Sequence, residues 1–272
     1  MDQRLRDTTA IVTGGGRGIG AAAARAMAQA GAGIGLIARS EPEVETLAEE
    51  LREAGARARA AVADVRDLDA LQAAVAAIEG ELGPTDVLVC NAGVSGGRPA
   101  PAWTVDPSAW WRTQEVNVLG ALHAVHAVVP GMVARGRGRV IHVASLIGVR
   151  SEPGSSGYAC SKASLLRLAE VLAADLEGTG VVSISMSPGL VLTRMTEAMK
   201  EHLDLPDEAW SDIGRSADLM VRLAAGDGDP LAGTMVHAED DLDTLLAHAG
   251  EIRERGWYAL RMVRGLEGPD PV

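Results

Sequence analysis

Thr8-Thr9-Ala10-Ile11-Val12-Thr13-Gly14-Gly15-Gly16-Arg17-Gly18-Ile19-Gly20 is the stretch on which the fold turns. Thr8 to Thr13 reads as a short buried strand, and Ala21 to Ala30 as the helix that follows. Strand, glycine turn and helix are the context that a phosphate-binding loop requires. Glycines let the backbone turn tightly, and the helix N-terminus offers unpaired N–H groups and a favourable dipole to an anion. The spacing is Gly-x3-Gly-x-Gly rather than the more familiar Gly-x-Gly-x2-Gly. The competing reading is a glycine-rich turn that serves only close packing.

Outward from this unit, strand and helix patterns alternate. Gly33 to Ala38, Arg57 to Ala63, Asp86 to Cys90, Gly138 to Ala144, Val181 to Ser187 and Gly233 to His237 read as six further strands. Val44 to Ala54, Leu68 to Leu82, Ser108 to Ala134, the run through Leu176, Arg215 to Ala225 and Asp241 to Arg255 read as helices. Such alternation predicts a parallel sheet with helices on both faces. Tyr258 to Val263 reads as a short extra strand and Gly268 to Val272 as a frayed end. Leu190 to Ile213 is irregular and Met-rich, as a lid over a site would be. No repeat or low-complexity linker marks a domain boundary.

Composition narrows the function. The net charge of −12 argues against a nucleic-acid backbone or an anionic membrane as the main partner. Cys90 and Cys160 are the only cysteines and imply no disulfide framework. The charged N-terminus lacks a signal-peptide pattern, and no uninterrupted apolar run reaches the ~20 residues of a membrane span. A cytoplasmic setting is expected. No metal cluster is expected either, and His123 and His126 read as surface or interface residues. With Phe absent, Leu, Val, Ile and Ala must fill the core.

Candidate site residues stand at the strand ends. After the second strand come Ala38, Arg39 and Ser40, where an acid would bind a ribose 2′-hydroxyl. Arginine there suits a 2′-phosphate instead, and Arg17 in the glycine loop is placed to help. Asp64 after the third strand either accepts from an adenine amino group or caps the next helix. Asn91, Ala92 and Gly93 follow the fourth strand, where open parallel sheets hold ligands. Cys90 reads as a packed core thiol. Asn117 sits among Val116, Val118 and Leu119 and demands a reason. Tyr158 and Lys162 lie four apart on a helix and so share a face. A fixed ammonium lowers a phenol pKa, which makes the pair a plausible proton-transfer device rather than a solvated face.

The chain resembles the short-chain dehydrogenase/reductase family. TGGGRGIG at 13–20, Asp64, NAG at 91–93, Asn117, Ser145, YACSK at 158–162 and PG at 188–189 occur in the family's order, over residues 8 to 237. The resemblance implies one doubly wound Rossmann-type α/β domain over 1–272, with a mainly parallel seven-stranded sheet. Its core would be 8–237, its substrate lid 190–213 and its C-terminal extension 238–272. By that resemblance Tyr158 is the general acid, Ser145 orients the carbonyl, Lys162 binds the nicotinamide ribose and lowers the tyrosine pKa, and Asn117 holds its helix bend and a relay water. NADP(H) is the implied cofactor, held by Gly14, Gly16, Arg17, Gly18, Ile19, Arg39, Ser40, Asp64 and Val65. Asn91, Ala92, Gly93, Tyr158, Lys162, Pro188, Gly189, Leu190 and Thr193 complete the set. Ser145, Leu146, Ile147, Tyr158, Gly189 and Met195 are expected against the substrate.

The expected activity is reduction of a ketone or aldehyde, or the reverse oxidation of an alcohol. Imine or activated C=C reduction, and a non-catalytic nucleotide-binding regulator, are the alternatives. Few cations near the pocket favour an apolar small molecule, while Arg150 and Arg194 at the mouth leave a carrier-bound chain open. Three departures from the family stand out: Cys90 where asparagine is common, Val236 to Asp240 where a glycine-rich end is usual, and about 30 residues beyond it. The apolar surplus on the helices of Asn117 and Tyr158 predicts a second buried face on each. It is covered either by the chain's own C-terminal extension or, as the resemblance implies, by a second copy across a two-fold axis, hence a homodimer or homotetramer.

Overall fold

In the computed structural model, which describes residues 3–197, 206–261, 263–264 and 270–271, all seven expected strands form one sheet. They are β1 (Thr9–Thr13), β2 (Gly33–Ala38), β3 (Ala58–Val62), β4 (Val87–Cys90), β5 (Gly138–Val143), β6 (Val181–Ser187) and β7 (Met235–His237), in the order β3-β2-β1-β4-β5-β6-β7. Every pairing is parallel. A parallel sheet is covered on both faces, so its strands are apolar on both sides. All five residues of β1 and all four of β4 are buried accordingly.

Two hydrophobic layers result. On one face α1 (Gly18–Gln29), α2 (Glu41–Glu53) and α7 (Ile213–Ala225) bury Met27, Leu47 and Met220 against Val12, Leu36 and Ile141. On the other α3 (Leu68–Leu82), α5 (Gly120–Arg135) and α6 (Ser156–Asp175) bury Ile78, Val128 and Leu165 against Ile11, Leu88 and Val140. Each such side chain contributes about 1.5–3 kcal/mol by leaving water. The chain winds from β1 outward to β3, then crosses back to β4. The β1/β4 boundary is therefore the point where strand order reverses, and a crevice opens there at the carboxyl ends.

Several expectations change in detail. The helix expected over Ser108 to Ala134 is α4 (Pro107–Gln114), a π-turn at Glu115–Leu119 and then α5, with Asp106 capping its start. Although Pro107–Arg135 is long and apolar enough to cross a membrane, half of its most apolar window is buried within the protein. Asp64 does not cap α3: Asp67 does, accepting from the Ala70 N–H at 3.0 Å. The C-terminal helix is two, α8 (Leu242–Ala247) and α9 (Ala249–Arg255), separated at His248.

Tyr258 has a φ of +58°, which no strand tolerates. Extended pairing begins only at Val263–Arg264, against Asp270–Pro271 in the segment expected to fray. Of the expected lid, 198–205 lies outside the described residues.

Candidate active site

The glycine loop is shaped by what presses on it. Gly14 has a φ of +63°, and a Cβ there would sit 2.9 Å from the Ala92 Cα. At Gly20 a Cβ would meet the Asn91 Nδ2 and the Gly14 oxygen, each at 2.5 Å. Only glycine allows β1, α1 and the loop after β4 to approach this closely. Thr13 and Asn91 then tie the switch point together. The Thr13 hydroxyl donates to the Val89 carbonyl at 3.2 Å and accepts from the N–H groups of Asn91 (3.1 Å) and Ala92 (3.2 Å). Asn91 Nδ2 donates to the carbonyls of Thr13 (2.9 Å) and Gly14 (3.0 Å). Its amide thus shapes the loop. At the start of α1 no side chain caps the helix, so its first N–H groups are available to an anion.

A cavity of about 1000 Å³ opens over these strand ends. Gly14, Gly16, Arg17, Gly18 and Ile19 line it at the loop; Arg39, Ser40, Asp64 and Val65 line it beyond β2 and β3. Asn91, Ala92, Gly93, Tyr158, Lys162, Pro188, Thr193 and Met195 complete the expected set. The size, the uncapped helix and the glycine approaches fit a dinucleotide lying across the crevice. Asp64 accepts from Arg66 Nη2 at 2.7 Å and lies 3.9 Å from Arg39. The hydrogen bonds from Arg66 hold its carboxyl below the usual range.

The π-turn brings Asn117 inward, where it is almost wholly buried. Its Oδ1 accepts from the Val94 N–H at 2.8 Å, and its Nδ2 donates to the Val94 carbonyl and the Ser161 hydroxyl, each at 2.9 Å. Ser161 in turn donates to the Tyr158 carbonyl at 2.7 Å. Asn117 thereby joins the loop after β4 to α6. It does not reach the cavity wall.

Tyr158 and Lys162 face the cavity from α6. The Lys162 Nζ donates to the Val143 carbonyl at 2.7 Å and lies 5.5 Å from the centre of the Tyr158 ring. Ser145, at the end of β5, accepts from the Ile147 N–H at 3.3 Å and hydrogen-bonds the phenol. The expected lowering of the tyrosine pKa is reversed in this structure. Burial pushes the phenol up to about 12, against the pull of the Ser145 hydrogen bond. Burial also brings the Lys162 ammonium down to about 8. The lysine faces a carbonyl, so desolvation outweighs its charge at the phenol. At neutral pH the phenol is protonated and the lysine charged.

Cys90 is buried, its thiol pushed up to about 12, as a core residue should be. His123 donates its Nδ1–H to the Val65 carbonyl, 2.9 Å away, and so holds the loop after β3. Among the described residues no cluster of His, Cys, Asp or Glu could hold a metal.

Ser145, Leu146, Ile147, Gly189 and Leu190 stand beside the cavity rather than on its wall. Wall residues that the sequence reading passed over are Glu43, Ala63, Val94, Ser95, Val116, Val143 and Ala144. Val94 and Ser95 were legible as neighbours of the 91–93 motif. Glu43 carried a weaker signal, three residues past Ser40 in the first turn of a helix.

Comparison with known proteins fits this geometry. The family described as short chain dehydrogenase matches residues 8–204. A short chain dehydrogenase of Pseudocercospora fijiensis is 37% identical over 265 residues, covering 90% of this chain and 84% of the relative. A gluconate 5-dehydrogenase from Burkholderia cenocepacia, solved in complex with NADP and tartrate, superposes with a TM-score of 0.80 at 29% identity, covering 89% of this chain and 98% of that one. An NAD+-bound xylitol dehydrogenase superposes with a TM-score of 0.79 at 26% identity, covering 86% and 98%.

Proposed function

The chain belongs to the short-chain dehydrogenase family, and from that premise we propose that it is an NADP(H)-dependent oxidoreductase. It acts as a ketoreductase, or in reverse as an alcohol dehydrogenase, on a small and mostly apolar carbonyl compound, within one Rossmann-type domain. The observation that carries the reading is the Ser145–Tyr158–Lys162 arrangement beside a dinucleotide-sized cavity.

Bound NADPH supplies the hydride. The protein's task is the oxygen, where charge develops as the carbonyl is reduced. Tyr158 holds a proton at neutral pH and gives it to that oxygen, and Ser145 donates a second hydrogen bond. The phenolate left behind has the Lys162 ammonium 5.5 Å from its ring centre, anchored on the Val143 carbonyl. Gly14, Gly16, Gly18 and the N-terminus of α1 would hold the pyrophosphate. Arg17 and Arg39 stand where a ribose 2′-phosphate belongs, with no acid at 38–40 to select the hydroxyl. A xylitol dehydrogenase of this fold holds NAD+, so the preference rests on these arginines. The wall and its surroundings offer Val94, Leu146, Ile147 and Met195 to an apolar substrate, with Gly189 and Leu190 beside them. The two free thiols, Cys90 and Cys160, suit a cytoplasmic setting.

Tyr158→Phe removes the proton donor and keeps the ring. It should keep NADPH affinity and lose about 10²–10⁴-fold in kcat. A Phe variant that turns over a carbonyl substrate at the wild-type rate would sink this reading.

A further inference from the structure

Glu43 lies in the first turn of α2 and lines the cavity. Its Oε1 accepts from Arg17 Nη1 at 2.8 Å and stands 3.5 Å from Arg194 Nη1. One carboxylate thus faces two guanidinium groups from different elements, the glycine loop and the arm that follows β6. Both arginines line the cavity.

The carboxylate is held there by packing as well as by charge. A Cβ on Gly16 would lie 2.9 Å from the Glu43 Cβ, so the helix turn rests directly on the loop. The arm is equally close, since a Cβ on Gly18 would lie 3.4 Å from Thr193 Cγ2. Nearby, Asp64 is already engaged by Arg66 and more loosely by Arg39. Arg17 and Arg194 are therefore the cations that Glu43 neutralises, at the end of the cavity where the 2′-phosphate would sit.

We propose that Glu43 discriminates between the cofactors: its carboxylate competes with the ribose 2′-phosphate of NADP(H) for Arg17 and Arg194. The proposal rests on the NADP(H) reading given above. Two anions sharing one set of guanidinium groups repel each other and divide the donors between them. NAD(H) brings no phosphate to that position. The pyrophosphate is common to both cofactors, so its response to the local field cancels in the ratio of their affinities. The pairs are partly exposed, with the Arg17 and Arg194 side chains 55% and 71% accessible. Exposed pairs are screened, so the effect should be modest and should shrink with added salt.

The test is the dissociation constants of NADPH and NADH for the full chain, wild type and Glu43→Gln. The glutamine keeps shape and removes charge. It should raise the NADPH-over-NADH preference by about two- to fivefold, the factor that corresponds to an exposed ion pair. A wild type that prefers NADPH, with an unchanged ratio in the variant, overturns the role of Glu43 and leaves the cofactor reading standing. Selective loss of NADH affinity in the variant also overturns it, because the carboxylate then serves the ribose hydroxyls. A wild type without NADPH preference removes the underlying reading, and this inference with it. Should Glu43→Gln fail to fold, Arg194→Ala decides. It deletes one cation and leaves Glu43 wholly on Arg17, so the NADPH preference should fall by about the same factor, and an unchanged ratio overturns the proposal.

Discussion

His142 is fully buried on β5, and neither ring nitrogen has a hydrogen-bond partner among the described residues. Burial lowers its pKa to about 4, and the charge of Lys162 pushes the same way. The folded value lies below the unfolded value of about 6.5, so the unfolded chain binds the extra proton first. Stability is then full above about pH 6.5 and is lost as pH falls toward 4, by roughly 3 kcal/mol. Lys162 acts with the same sign in the alkaline range: stability rises with pH from about 8, its folded value, toward the unfolded 10.5. Urea unfolding of wild type and His142→Met at pH 7 and pH 4.5 checks the first effect. The methionine variant should lose markedly less stability on acidification; equal losses would assign the acid sensitivity to other groups.

At the scale of the element, the long helix through Asn117 is organised by a polar residue at its π-turn. Three hydrogen bonds from one amide join it to Val94 and to α6. A buried group left without its partner costs about 1–3 kcal/mol. Asn117→Ala strips the partners from both Val94 backbone groups, and roughly 2–4 kcal/mol of stability should go with them. Asn117→Asp keeps the acceptor for the Val94 N–H but loses both donors. It should be destabilised as well, which denaturant midpoints will show. If both variants melt like the wild type, the amide does not hold the loop. That Asn117 had a purpose was legible, because a polar residue among valines needs one. Its partners were not: Val94 is 23 residues away and Ser161 is 44, and no local pattern reports such contacts.

For the molecule as a whole, the apolar surplus on α5 and α6 divides in two. Val125, Val128, Val129, Leu165 and Leu166 are buried in the protein's own core. Leu122 and Val171 remain 41% and 50% exposed. The chain beyond β7 also takes part of this surface. Glu170 on α6 accepts from the Leu260 N–H at 2.6 Å and from Arg261 at 3.2 Å, and Arg167 donates to the Leu260 carbonyl at 2.7 Å. The remaining exposed stripe is narrower than the sequence pattern implied, and it supports a self-complementary contact between two copies. Light scattering at micromolar concentration should give a dimer, and Leu122→Glu combined with Val171→Glu should give a monomer. A wild-type monomer, or a dimer indifferent to both charges, would place the contact elsewhere or nowhere.

The sequence by itself determined the architecture, the glycine loop and the Tyr158–Lys162 pair. These depend on periodicity and short spacings, which the backbone geometry of strand and helix converts directly into position. Only the tertiary structure decided which way the electrostatics run. Whether Tyr158 is lowered by a nearby ammonium or raised by burial depends on where the Lys162 Nζ points, and it points to the Val143 carbonyl. Likewise Glu43 reads as one acid in the Glu-rich α2. It becomes the partner of Arg17 and Arg194 because the fold brings together groups 26 and 151 residues apart. Charge acts through space, and distance in space is what a linear pattern leaves open.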